Sequence, residues 1–144
     1  MASRDLHNCI DVKRGLSPVV AGTDNTAYVS QIVDTAGAEA VEFIILIGAN
    51  TDADVTFTVL VEDGDNSSLT DNAAVADTFL LGTEALAGFT FADDNEVRKI
   101  GYVGGKRYVR VTITPADNAA GNIYLAGVWL LGHRRHAPSA NPPA

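Results

Sequence analysis

The sequence predicts an all-β fold, either a β-sandwich (jelly-roll-like) or a small barrel, with an extended N-terminal arm and a flexible, proline-rich C-terminal tail. Short runs of β-branched and aromatic residues recur at fairly regular spacing between Gly, Asp and Asn turns, as in sandwiches and barrels. No segment keeps a 3.6-residue apolar period. The 144 residues fit one domain, which we divide into an arm (1–25), a β-sandwich domain (26–132) and a tail (133–144).

The arm and the tail are set apart by composition. The arm mixes charged and apolar residues and ends in a turn-rich stretch at 22–25. A short strand is predicted at 9–13, because Ile10 and Val12 alternate with charged neighbours. The tail joins a basic patch, 133–136, to small residues and prolines, a composition that favours an extended or disordered chain.

Two strands of the first half have the clearest patterns. Residues 55–61 alternate between apolar and mostly polar side chains, as expected when successive side chains point to opposite faces of a sheet. In 40–48, alternate positions place Phe43, Ile45 and Ile47 on one face. The other face carries Glu42, Ile44 and Leu46. This second strand is therefore predicted to be buried on most of both faces.

Further strands are predicted at 28–33, 78–81, 89–91, 97–103, 106–114 and 122–131. Two short segments, 73–76 and 83–87, have the composition of a helical turn. The pair Gly104-Gly105 stands between two predicted strands and predicts a hairpin that joins them.

Charge and cysteine content exclude several classes of protein. The net charge of −8 argues against binding to nucleic acid or to an anionic membrane surface, both of which rely on Lys and Arg. One cysteine, Cys9, cannot form an internal disulfide, which suits a reducing compartment. The first residues contain no apolar run, so no signal peptide is predicted. The most apolar run, 43–48, is too short to span a bilayer.

A calcium loop is the first candidate metal site. Asp63, Asp65 and Ser67 have the alternate spacing with which an EF-hand loop begins. Ser68 and Ala74 occupy the positions that such a loop gives to Gly and Glu. A turn rich in Asp and Asn explains the segment better.

The histidines do not predict a catalytic or zinc site. His7 with Cys9, and His133 with His136, are pairs without further ligands nearby, and zinc usually takes three or four protein ligands. The sequence has no nucleophile elbow, phosphate-binding glycine loop or dinucleotide fingerprint. We therefore expect no enzymatic activity, no metal and no cofactor.

Five basic residues and two tyrosines surround the predicted hairpin: Arg98, Lys99, Tyr102, Lys106, Arg107, Tyr108 and Arg110. Such a surface is suited to single-stranded nucleic acid, but the acidic balance of the chain favours contact with an acidic protein. A solvated face that balances nearby carboxylates is the other interpretation.

Blocks of sequence at both ends resemble a family of small head proteins of tailed bacteriophages. At the start these blocks are Asp5-Leu6-His7-Asn8, Ile10-Asp11-Val12-Lys13-Arg14 and Leu16-Ser17-Pro18. Later blocks are Asp63-Gly64-Asp65, the run from Ala76-Asp77 to Leu81-Gly82-Thr83-Glu84, Arg98-Lys99-Ile100-Gly101-Tyr102, Lys106-Arg107-Tyr108-Val109-Arg110-Val111, Leu131-Gly132-His133 and His136-Ala137-Pro138. The resemblance covers most of the chain and carries no catalytic motif.

The resemblance implies a structural virion protein, a capsid decoration (auxiliary head) protein. Such proteins are made in the host bacterial cytoplasm, bind the major capsid protein on the outer surface of the shell, often as trimers, and stabilise the head. The alternatives are a neck or tail accessory protein and a β-sandwich module that binds carbohydrate. The last would use Trp129, Tyr102, Tyr108 or Tyr124 as stacking faces, although the strand pattern around Trp129 favours a core position.

The expected partner interface joins the arm to the basic hairpin. The arm's alternating apolar residues suit addition of a strand to the edge of a neighbour's sheet. Eight residues are assigned to this interface: Leu6, His7, Ile10, Val12, Arg14, Arg98, Arg107 and Arg110.

Overall fold

The structure, a computed structural model that describes residues 5–143, is a sandwich of two antiparallel sheets. It confirms the predicted all-β sandwich. In chain order the strands are β1 (Asp11–Leu16), β2 (Tyr28–Val29), β3 (Val33–Asp34), β4 (Ala40–Ile47), β5 (Thr56–Gly64), β6 (Ala73–Ala74), β7 (Leu80–Leu81), β8 (Phe89–Thr90), β9 (Val97–Tyr102), β10 (Tyr108–Ala116) and β11 (Leu125–Gly132). The helices are single turns: α1 (Glu84–Ala87) and two 3₁₀ turns, Asp77–Phe79 and Phe91–Asp93.

The first sheet has the strand order β1-β11-β4-β9-β7. The second sheet has the order β2-β10-β5-β6, with β3 also paired to β10 and β8 to β5. No helix within residues 5–143 is long and apolar enough to cross a membrane.

The core lies between the sheets and is made by the inward positions of the long strands. On β4 every second residue from Val41 to Ile47 is buried, and β5, β10 and β11 follow the same rule. Trp129 on β11 packs edge-on against Phe43, with ring centroids 4.6 Å apart. Its Nε1 donates a hydrogen bond to the carbonyl oxygen of Gln31 at 3.0 Å. The sequence placed Trp129 in the core, and the structure confirms it.

The predicted arm contains a strand of the sandwich. β1 pairs with β11 over most of its length, with a bulge between Arg14 and Leu16. Gly15 lies in this bulge, where a Cβ would collide with the ring of Phe43 and the carbonyl of Gly127. The first sheet therefore begins at β1 and not after residue 25. Of the described part of the arm, only residues 5–10 precede it.

The predicted hairpin at Gly104-Gly105 is wrong. β9 pairs with β4 and β7 in the first sheet, whereas β10 pairs with β5, β2 and β3 in the second. The glycine pair therefore lies in a connection between sheets. The hydroxyl of Tyr102 anchors this connection by accepting a hydrogen bond from the Lys106 backbone N–H at 3.0 Å. A turn of small residues serves a crossover as well as a hairpin, so the sequence signal was ambiguous.

The two ends of the described chain contact each other. The backbone N–H of Ser139 donates to the carbonyl oxygen of Asn8 at 3.0 Å, and an Arg134 guanidinium nitrogen lies 3.8 Å from a carboxylate oxygen of Asp11. The other carboxylate oxygen of Asp11 is buried and has no hydrogen-bond partner among residues 5–143. The tail thus packs beside residues 5–11, and its flexibility stays a prediction.

Candidate protein-binding surface

The outer side of the first sheet carries a continuous set of apolar side chains. Directly paired residues of antiparallel strands point to the same side, so the register gives the members of this set. We name it the apolar face: Val12 and Arg14 of β1, Ala126, Val128 and Leu130 of β11, Glu42, Ile44 and Leu46 of β4, Val97 and Lys99 of β9, and Leu81 of β7.

Several large side chains of the apolar face are open to solvent. Leu46 is 55% exposed, Val97 55% and Leu81 58%, and Val128 is 39% exposed. The sequence predicted that β4 is buried on most of both faces. On the outer face that prediction is met only in part, because Glu42 and Ile44 are half-buried and Leu46 is exposed.

A groove of about 630 Å³ lies at one end of the apolar face. Its walls come from the sheet and from both terminal segments, with Leu6 and Ile10 on one side and His133 and Arg134 on another. Its lining is mainly apolar and includes Ile44, Leu81, Val103 and Leu130. The terminal segments therefore extend the apolar face beyond the sheet.

Three charged side chains lie within the apolar face. Burial raises the pKa of the Glu42 carboxyl, while the nearby charge of Lys99 acts to lower it. Lys99 pairs in register with Ile44, which pairs in turn with Val128, and Val128 pairs with Arg14. One row across four strands therefore reads Arg14, Val128, Ile44, Lys99.

Arg14 and Lys99 differ from the other described cations. Nine of the chain's 10 Lys and Arg residues lie within residues 5–143. Seven of these form ion pairs with carboxylates: Lys13, Arg98, Lys106, Arg107, Arg110, Arg134 and Arg135. Within the same residues, Arg14 and Lys99 have no ion-pair partner, and both belong to the apolar face.

Three of the four arginines predicted for the interface, Arg98, Arg107 and Arg110, are paired inside the chain. Arg107 holds the Asp34 carboxylate with two nitrogens, at 2.9 and 2.8 Å. These bonds are the main reason that the pKa of Asp34 is lowered. Arg110 donates twice to Glu62, at 3.1 and 2.7 Å, across the β10–β5 pair, and Arg98 contacts Asp93 and Glu96. Their first role is thus within the fold, and their place in an interface stays a prediction.

The structure brings four of the five predicted arm residues to one surface. Leu6 and Ile10 line the groove, and Val12 and Arg14 belong to the apolar face. The Nε2 atom of His7 instead lies 3.3 Å from the side-chain nitrogen of Asn141. Sequence reasoning missed the exposed apolar residues of the sheet. Their signal was present, because β4 and β11 are apolar at outward as well as inward positions.

The acidic loop after β5 uses its carboxylates internally. Asp63 accepts a hydrogen bond from the Tyr102 hydroxyl at 2.7 Å, and Asp65 pairs with Lys106. Asp71 accepts from the backbone N–H of Asp65 at 2.8 Å, the main reason that its pKa is lowered. Within residues 5–143 no three His, Cys, Asp or Glu side chains are grouped so as to hold a metal ion. The loop is therefore explained as a structural turn.

The aromatic residues named for carbohydrate stacking divide into buried and accessible ones. Trp129 and Tyr102 are buried, and burial together with the hydrogen bond to Asp63 raises the pKa of Tyr102. Tyr108 lies under the guanidinium of Arg107, 5.2 Å from the ring centroid. Tyr124 is 44% exposed. The largest ring, that of Trp129, is thus closed to a ligand.

No family model and no curated protein sequence matches the chain. Among solved structures, a family 35 carbohydrate-binding module from Paenibacillus barcinonensis is 11% identical, with a TM-score of 0.40 over 85% of this chain and 93% of that one. The C-terminal family 22 carbohydrate-binding module of Clostridium thermocellum Xyn10B is 10% identical, with a TM-score of 0.40 over 92% and 100%. Dimeric latent PorU from Porphyromonas gingivalis is 9% identical, with a TM-score of 0.42 over 86% of this chain and 13% of that one. These similarities concern the fold alone and carry no argument about function.

Proposed function

We propose that the chain is a structural virion protein that decorates a bacteriophage head by binding the major capsid protein on the outer surface of the shell. The observation that carries the proposal is the apolar face, in which apolar side chains on four neighbouring strands, β11, β4, β9 and β7, remain open to solvent. Contiguous apolar surface of this kind typically marks a site of protein association. The resemblance of the terminal blocks to phage head proteins supplies the identity of the partner.

The physical chemistry of the apolar face favours a protein partner over a small molecule. Leu46, Val97 and Val128, which are among the exposed side chains of the face, lie outside the groove, whereas small-molecule sites are concave and enclose most of the ligand. Covering such a surface removes apolar area from water, which contributes roughly 25 cal/mol for each Å² buried. We therefore assign the chain a binding role without enzymatic activity or cofactor.

The proposal includes synthesis in the host cytoplasm and assembly as a homotrimer. A fold without an internal disulfide is suited to a reducing compartment. A trimer on an icosahedral surface also gains from multivalency, because each bound subunit raises the effective concentration of the others.

The test is binding of the purified chain to undecorated heads of the phage that encodes it. We expect saturable binding at a fixed number of copies per capsomer, measured by sedimentation of heads with the bound protein. An absence of binding would overturn the proposal, and so would a position at the neck or tail in intact virions. The second outcome would support the accessory-protein alternative.

Carbohydrate binding is the alternative from another class. Its physical basis in this chain is the exposed ring of Tyr124 and the half-buried ring of Tyr108, since sugar-binding sites use aromatic faces. A glycan array that shows specific binding, lost in Tyr124→Ala, would favour this alternative. The same array with no specific signal would leave the decoration proposal as the better explanation.

A further inference from the structure

We infer that the apolar face is the surface that meets the capsid shell, and that its contact there is an apolar protein surface flanked by carboxylates that pair with Arg14 and Lys99. The inference rests on the proposed function and adds to it the face and the chemistry of the partner.

One row of the apolar face has a cation at each end and apolar side chains in its middle. Arg14 and Lys99 stand at its two ends, and Val128 and Ile44 lie between them. Three spacings between neighbouring strands separate the two cations, which is about 14 Å between their Cα atoms. A complementary surface therefore presents apolar side chains in its centre and a carboxylate on either side.

Arg14 and Lys99 also differ from the other described cations in their lack of an ion-pair partner within residues 5–143. With 18 acidic and 10 basic side chains, carboxylates are plentiful, and the seven other described cations each have one as a partner. Arg14 and Lys99 have no ion-pair partner within residues 5–143, although the chain as a whole is acidic. They are the cations that remain available to an acidic partner, and both lie beside exposed apolar side chains.

The same charges disfavour a second copy of the chain as the occupant. If two copies pair face to face about a twofold axis that passes through the middle of the row, the row of each copy lies over that of the other. Two Arg14 and two Lys99 side chains then meet, with only the two Glu42 carboxylates of the face to balance them. The net charge of −8 on each copy adds repulsion at long range. A different protein, with carboxylates that pair with Arg14 and Lys99, is a better match for this row.

The test compares two lysines of equal charge. Lys99→Gln and Lys106→Gln each remove one positive charge, but Lys106 is paired with Asp65 and is not a member of the apolar face. With undecorated heads as the probe, we expect Lys99→Gln to weaken binding about two- to fivefold, as for loss of an ion pair at a surface. Arg14→Gln with Lys99→Gln should weaken it about tenfold, and added salt should reduce the difference from wild type. Lys106→Gln should bind as wild type does.

Each other result has a definite meaning. If wild type binds heads and the Lys99 and Lys106 variants lose affinity equally, the inference is overturned while the proposed function stands. If wild type itself does not bind, the proposed function fails. If the double variant changes the oligomeric mass in sedimentation equilibrium, the face joins copies of this chain and the inference is likewise overturned. Urea unfolding of every variant checks that a weaker binder is still folded.

Discussion

The outer faces of the two sheets differ although both belong to the same sandwich. The apolar face of the first sheet exposes residues such as Leu46, Val97 and Val128. The outer face of the second sheet is mainly polar, and its paired positions on β5 and β10 are Thr56 with Ala116, Thr58 with Thr114, Leu60 with Thr112, and Glu62 with Arg110. One face is thus suited to water and the other to a protein partner.

This difference shows that the inward and outward positions of a strand carry different information. Inward positions of both sheets are apolar because they share one core, as Phe43 and Phe57 illustrate. Outward side chains do not pack in this core, so their composition depends on the surroundings of the monomer. When they too are apolar, as Ile44 and Leu46 are, they form the kind of exposed surface that typically takes part in protein association.

The largest effect is expected from comparing the two sides of β4. Ile45→Ala removes a fully buried side chain and should lower the free energy of unfolding by about 2–5 kcal/mol. Ile44→Ala, on the apolar face, should cost about 1 kcal/mol, because its side chain is only partly buried in the monomer. Urea unfolding measures both. Equal losses would mean that the outer face is as well covered as the core.

A second comparison uses the same substitution on the two outer faces. Leu46→Asp should weaken binding to undecorated heads at least about tenfold, because it places a charge in the apolar face. Leu60, 38% exposed on the outer face of the second sheet, supplies the matched control, and Leu60→Asp should change affinity by less than about twofold. Both variants should unfold near the wild-type urea midpoint. A larger loss of affinity for Leu60→Asp would show that binding uses the outer face of the second sheet and would contradict the account.

The smallest effect concerns Glu42, the acid within the apolar face. Burial raises its pKa above the ordinary value of 4.5, so the charged form disfavours the folded state at neutral pH. Glu42→Gln should therefore raise the free energy of unfolding slightly at pH 7. This gain should disappear as the pH falls through the raised folded-state pKa towards 4.5, since both forms are then neutral. A gain that persists at pH 3.5 in urea unfolding would contradict this explanation.

Much of the fold follows from the sequence, because alternation along a strand is a local property. The alternation at 55–61 predicted β5, and the run 40–48 predicted β4 almost to the residue. The partners of a strand are not local, which is why Gly104-Gly105 gave a wrong hairpin. The same limit applies to β1, whose place beside β11 depends on residues more than 100 positions away.

The candidate site was predicted only in part. Val12 could be assigned from the alternation in the predicted strand at 9–13, but the arginines of the basic hairpin were chosen for their charge. Whether a cation is available to a partner depends on carboxylates brought close by folding, as Asp34 is to Arg107. Lys99 belongs to the same cluster of basic residues in the sequence. It differs from those arginines because the strand register places it beside Ile44 on the apolar face.

The central claim is that the sandwich contacts the shell through its first sheet. Cryo-electron microscopy of heads decorated with the wild-type chain tests this most directly, because it locates each sheet relative to the capsid protein. We predict that Leu46, Ile44 and Val128 lie within contact distance of the capsid protein, with carboxylates beside Arg14 and Lys99. A decorated head in which β5 and β10 contact the shell, and the apolar face is open to solvent, would contradict the account.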